Sequence, residues 1–155
     1  NYFQNIHLFL AGKDINDENI QLKNFIEFFN LKKNITLAGL LDEKELVKAY
    51  SSSDLTVLTS NSESFPNVIG ESMSCSTPCV SFDVGDCRKL IGDTGWITKN
   101  NNSSELFKTL EEAINCSKKK DNWQKIKENC RIRIHEMYSC EKEFRNYENF
   151  YRSLN

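Results

Sequence analysis

Between residues 6 and 98, short apolar runs rich in β-branched residues alternate with stretches of helical spacing. Most of the runs end near a glycine or a polar turn, and after residue 103 the runs stop and helical spacing takes over. Together these observations predict an α/β fold, a Rossmann-like parallel sheet with right-handed crossovers and flanking helices, continued by a helical C-terminal tail. Residues 1–116 are expected to form the sheet-bearing domain, and residues 117–155 C-terminal helices that pack back on it.

The first strand is Ile6-His7-Leu8-Phe9-Leu10, closed by Gly12 and a Lys13-Asp14 loop. Lys13 is within reach of a phosphate in principle, but a solvated loop lysine is the reading adopted, and His7 beside the strand start is read as structural. A helix over residues 19–29 repeats Leu22, Phe25, Ile26 and Phe29 at helical spacing, a stripe expected in the core. The second strand spans residues 34–39. The next helix, residues 43–51, is expected to turn Leu46, Val47 and Tyr50 inward.

The third strand, Asp54-Leu55-Thr56-Val57-Leu58-Thr59, is short and apolar, as a buried parallel strand should be. A polar loop then leads to Pro66, which suits the first position of a helix and makes Phe65 the expected cap. The N–H groups of Asn67 and Val68, with that of Ile69 nearby, would be free donors at the positive end of the helix dipole, a setting that suits a phosphate. Glu63 stays in the loop, and Glu71, five residues beyond Pro66, lies roughly 7 to 8 Å deeper along the helix axis. Two acidic acceptors thus bracket an anion site. An ionised carboxylate accepts two vicinal hydroxyls, which a ribose 2′,3′-diol offers. On spacing alone, a first-turn acid complementing the dipole and a solvated helix residue are the better explanation of the two glutamates.

The remaining elements follow the same alternation. Pro78 opens a strand over residues 79–83, Gly85-Asp86 turns into a short helix over residues 88–91, and residues 95–98 form the last strand. Residues 104–116 form a helix, and Asp121 or Asn122 can cap another that carries Trp123, Ile126, Cys130 and Met137 on one side. Ser139 caps the last helix, whose Phe144, Tyr147, Tyr151 and Leu154 form an aromatic stripe read as packing. In open sheets of this kind ligands bind beyond the carboxyl ends of the strands, where the two acids lie.

Composition excludes several classes. A chain of 155 residues, 39% hydrophobic, can bury a core, and a formal charge of −2 gives no footprint for nucleic acid. No apolar run approaches the roughly 20 residues of a membrane span and no signal-peptide pattern is present, so a cytoplasmic location is expected. None of the six cysteines forms a C-x-x-C pair or sits within metal spacing of His7 or His135, so no metal is expected and the thiols are read as reduced. Lys118-Lys119-Lys120 is read as a solvated link, with contact to anionic lipid as the alternative.

The run from Glu63 to Asp86, with Glu71, Pro78, Asp83 and Gly85 within it, resembles the E-x7-E region of retaining GT-B glycosyltransferases of family 4, and the likeness extends over most of residues 6–115 through Gly39 and the Gly92-Asp93-Thr94-Gly95 turn. The resemblance implies a C-terminal, donor-binding domain of an enzyme that transfers a hexosyl group from a nucleotide-diphosphate sugar to a glycan or lipid-linked acceptor with retention. The nucleotide sugar would be substrate, with no cofactor and no metal required. Position by position, it implies that Glu63 and the Ser64-Phe65-Pro66 backbone face the donor sugar and that Glu63 orients it. It further implies that Asn67 and Val68 donate to the diphosphate, Glu71 holds the ribose, and Gly39 and Leu40 flank the base.

Three positions depart from the family pattern: Ser64 and Ser76 stand where glycine is usual, and Arg88-Lys89 where many relatives carry an acid. The family's first strand and its Gly-Arg…Lys-Gly segment, whose cations neutralise the leaving diphosphate, have no match here. The expectation is therefore a fragment without activity of its own, whose acceptor site and peripheral membrane contact belong to a missing N-terminal domain. The resemblance implies that the helices of residues 117–155 also pack towards that domain, and without it part of the aromatic stripe is expected to be exposed. Alternatives are the donor-binding subunit of a split transferase, or a GT-B sugar-nucleotide epimerase.

Overall fold

The computed structural model describes residues 6–154, and its elements alternate as expected. They are β1 (Leu8–Leu10), α1 (Ile20–Phe28), β2 (Ile35–Leu37), α2 (Glu43–Ser52), β3 (Thr56–Leu58), α3 (Asn67–Ser74), β4 (Cys79–Ser81), α4 (Cys87–Ile91), β5 (Trp96–Ile97), α5 (Ser103–Ser117), α6 (Lys120–Tyr138) and α7 (Cys140–Arg152). The fold is α/β with parallel sheets, flanking helices and a helical C-terminal tail. Contacts divide it into two compact units, residues 1–46 and 47–155.

In the first unit β1 and β2 pair in parallel, with Phe9 opposite Thr36, and among the described residues each has a ladder partner on one side only. His7 Nε2 and Thr36 Oγ1 lie 2.7 Å apart. The Asn19 side chain caps α1 by accepting from the Leu22 N–H at 3.1 Å. At its other end Asn30 takes φ 53 and the Leu31 N–H reaches back to Ile26 O, so the chain leaves the helix through a left-handed residue. The expectation that the α1 stripe is core fails for the aromatics. Ile26 is buried, but Phe25 and Phe29 are about half exposed, because the apolar side of the helix is wider than the two-stranded sheet of this unit can cover.

Asp42 opens α2 with a reciprocal cap: Glu45 N–H donates to Asp42 Oδ1 at 2.8 Å, and Asp42 N–H to Glu45 Oε2 at 2.9 Å. Val47, expected inward, is 54% exposed, while Leu46 and Tyr50 are half-buried.

In the second unit the strand order is β3-β4-β5, all parallel, with Val57 opposite Val80 and Val80 opposite Trp96. The central strand is buried throughout. The core gathers Ile69 and Met73 from α3, Cys79 and Phe82 from β4 and its exit, Leu90 from α4, and Cys130 from α6. α6 lies against this core, with Trp123 stacked at 6.0 Å on Trp96. Met137, expected on the packed side of α6, is 45% exposed, and its place is taken by Ile134 at 8%. The α6 cap also differs: the helix starts at Lys120 after Lys119, with no side-chain cap bond, so Asp121 lies inside the first turn rather than before it. Arg133 fastens α6 to α4 by donating to Leu90 O at 2.8 Å and Lys89 O at 2.7 Å. These are carbonyls that a helix of five residues leaves open.

Ser139 caps α7 as expected, accepting from the Lys142 N–H. Phe144, Tyr147, Tyr151 and Leu154 of the α7 stripe are all more than 60% exposed, and α7 buries no residue. Helical periodicity gives the helix an apolar side, but nothing among the described residues covers it.

Candidate functional site

The carboxyl ends of β3, β4 and β5 carry three loops, and hydrogen bonds knit them together. Asp86 N–H donates to Ser64 O at 2.9 Å, joining the loop after β4 to the loop after β3. Asn101, beyond β5, accepts from the Asp83 N–H at 3.0 Å and donates to Asp83 O at 3.4 Å. Gly85 makes the first junction possible. It takes φ +49, and a Cβ there would run into the carbonyls of Ser64 and Glu63. The loop bearing Glu63 is therefore held by backbone contact from behind.

α3 starts one residue later than expected. Pro66, with φ −74 and ψ 102, is the cap, and Asn67 is the first helical residue. Proline suited both positions by its φ, but its ψ here is extended. The correction narrows the set of open amides. Ile69 N–H donates to Pro66 O at 3.1 Å, whereas the N–H groups of Asn67 and Val68 have no partner among the described residues. Pro66 and Ile69 are buried, while Asn67, Val68 and Glu71 are exposed on the other side of the helix, where residues three and four apart are neighbours. α3 thus has two amides without a partner among the described residues at its start and, one turn further on, a carboxylate on its exposed face. Glu63 is half-buried in the preceding loop, Ser64 is exposed, and Phe65 is 45% exposed with its ring 5.8 Å from that of Tyr138.

Gly39 and Leu40 belong to the first unit. Gly39 takes φ +67, its N–H donates to Ile15 O at 2.8 Å, and its carbonyl accepts from the Gly12 N–H at 2.7 Å. The loops after β1 and β2 are therefore cross-bonded. Leu40 beside them is 77% exposed.

Tyr50 was not singled out as a site residue by the sequence. Its hydroxyl donates to Glu71 Oε2 at 3.0 Å. Burial, and then the Glu71 carboxylate, push the phenol well above its ordinary range, so it remains a donor. A tyrosine at the inward edge of an amphipathic helix needs a polar partner, and that is the signal that could have marked it. Arg88, the departure noted above, is engaged within the chain: its Nη2 donates to Asp83 Oδ2 at 2.7 Å and its Nε spans both carboxylate oxygens at 3.2 Å. Ser76 adopts φ 61, the left-handed conformation for which glycine is the easier residue. The six cysteines are free thiols.

A helix start with unpaired amides can take an anion, and a carboxylate on the same helix can take hydroxyls. Known proteins carry the same architecture. The family model described as "Glycosyl transferases group 1" matches residues 1–129. The chain is 28% identical over 133 residues to N-acetyl-alpha-D-glucosaminyl L-malate synthase of Bacillus anthracis, covering 82% of this chain and 34% of that protein. It is 33% identical over 104 residues to D-inositol 3-phosphate glycosyltransferase of Paenarthrobacter aurescens, covering 66% of this chain and 24% of that protein. The chain therefore spans about a third and about a quarter of the length of these relatives. Among solved structures, Anabaena HepE in complex with UDP superposes with a TM-score of 0.79 at 20% identity, over 96% of this chain and 41% of that one.

Proposed function

Since the chain belongs to the glycosyl transferases group 1 family, we propose that it is the donor-binding part of a retaining hexosyltransferase of the E-x7-E type. The observation that carries this reading is the exposed face of α3, with the open amides of Asn67 and Val68 next to Glu71. The two amides take the diphosphate, and the Glu71 carboxylate accepts from the ribose hydroxyls. Glu63, with the backbone of residues 64–66, orients the donor sugar in the loop that Gly85 supports. The nucleotide complexes of a structural neighbour, HepE with UDP and with UDP-glucose, lend support to a nucleotide-sugar ligand.

In the transfer itself a nucleoside diphosphate departs, and stabilising its charge is a large part of such catalysis. The cations for this are expected outside residues 1–155, as is the acceptor site. The acceptor is a glycan or lipid-linked sugar, and the enzyme works in the cytoplasm. No described helix is long and apolar enough to cross a membrane.

Thermal melting with UDP, GDP and ADP, alone and as their sugars, tests the reading. A ligand that binds only the folded chain stabilises it by about 2.7 kcal/mol at 100 times its Kd. One nucleoside diphosphate should raise the midpoint, and Glu71→Ala should reduce the rise. No shift with any of them would overturn the proposal, and robust sugar transfer by residues 1–155 alone would overturn the division of labour.

A further inference from the structure

We propose that Tyr50 is a positioning residue that holds the Glu71 carboxylate ready for the ribose diol. The inference rests on the reading that Glu71 binds that diol. Glu71 is exposed on α3, and a glutamate in that setting samples many rotamers. The Tyr50 hydroxyl fixes it by donating to Oε2 at 3.0 Å, leaving Oε1 and a second lone pair of Oε2 for ligand hydroxyls.

The anchor is rigid because its own backbone is tied to buried groups. Tyr50 O accepts from Thr77 Oγ1 at 2.7 Å. Thr77 O in turn accepts at 2.9 Å from the hydroxyl of Ser72, the residue next to Glu71. Ser72 Oγ also lies 2.8 Å from Thr56 Oγ1 on β3. Thr77 and Ser72 are fully buried. Both ends of the Tyr50–Glu71 contact are thus referred to the same small polar network, so the carboxylate is set relative to α3 before any ligand arrives. A ligand that meets a preset acceptor loses less on ordering it.

The phenol also limits what Glu71 can do. With one oxygen engaged, the carboxylate remains an acceptor for neutral hydroxyls and is less open to a cation. Its expected contribution is discrimination between ribose and sugars lacking the diol, rather than affinity for the diphosphate.

The test is calorimetric titration of the full chain with the nucleoside diphosphate that gives the largest melting shift, and with its 2′,3′-dideoxy counterpart. Tyr50→Phe should weaken the ribonucleotide about three- to tenfold and the dideoxy form less than about twofold, a difference within the range of one ordinary hydrogen bond. In a Glu71→Ala background Tyr50→Phe should add nothing, as a cycle through one shared interaction requires. A role confined to packing would lower the melting temperature and weaken both ligands alike, and that result would overturn the proposal. Glu71→Ala weakened with Tyr50→Phe unchanged would also overturn it, leaving the ribose assignment intact. Ribonucleotide binding unchanged in Glu71→Ala would remove the ribose assignment itself.

Discussion

Several single residues hold this fold at a cost that substitution can reveal. Tyr138 Oη is buried without a hydrogen-bond partner among the described residues, while its ring lies against Phe65. Tyr138→Phe keeps the ring contact and removes the stranded hydroxyl, so it should raise the unfolding free energy by about 1 kcal/mol. Urea denaturation would read this, and a clear loss of stability would show that the hydroxyl has a partner. Burial pushes the Cys79 thiol up to about 12 and the Cys130 thiol up to about 11. Below the ordinary thiol range both states keep these protons. As pH rises past about 9 the unfolded chain releases them first, so their stabilisation is lost towards the folded values. The loss should reach about 1 kcal/mol per thiol by pH 10. Cys79→Ala/Cys130→Ala, weaker at neutral pH, should lose less between pH 8 and 10 than the parent. Equal slopes would contradict this.

At the scale of elements, helix ends and strand positions were legible in the sequence because local chemistry decides them. Ser139 caps where it was expected to, and the start of α3 moved by only one residue. Long-range pairing was not legible. Nothing local says that Tyr50 reaches Glu71 or that Gly85 lies against Glu63, although both contacts shape the site. The aromatic stripes of α1 and α7 show a related limit: spacing tells which side of a helix is apolar but not whether anything covers it. The Arg133 clasp between α6 and α4 is likewise a contact across many residues, and its weight can be measured. Arg133→Met retains the aliphatic stem and loses both bonds to Leu90 O and Lys89 O, so it should cost about 1 to 3 kcal/mol. A denaturation midpoint equal to the parent's would show that water replaces the guanidinium without loss.

On the scale of the molecule, the two units differ in how much they bury. Residues 47–155 contain the whole cluster around β4, whereas Ile26 is the only hydrophobic residue of residues 6–46 that is under a tenth exposed. A piece of about 40 residues without metal or disulfide rarely sustains a fold. Residues 42–155, which keep the Asp42 cap of α2, should unfold cooperatively by circular dichroism, and residues 1–41 alone should lack the signal of structure. A cooperative transition in the shorter piece would contradict the assignment.

Among the described residues β1 has a ladder partner on one side only, and its Leu8 and Phe9 are more than 40% exposed. A strand in that condition offers a second molecule a template for backbone pairing. The practical result is a solution behaviour set by concentration: light scattering should climb as samples are concentrated, and a lysine in place of Phe9 should keep them clear.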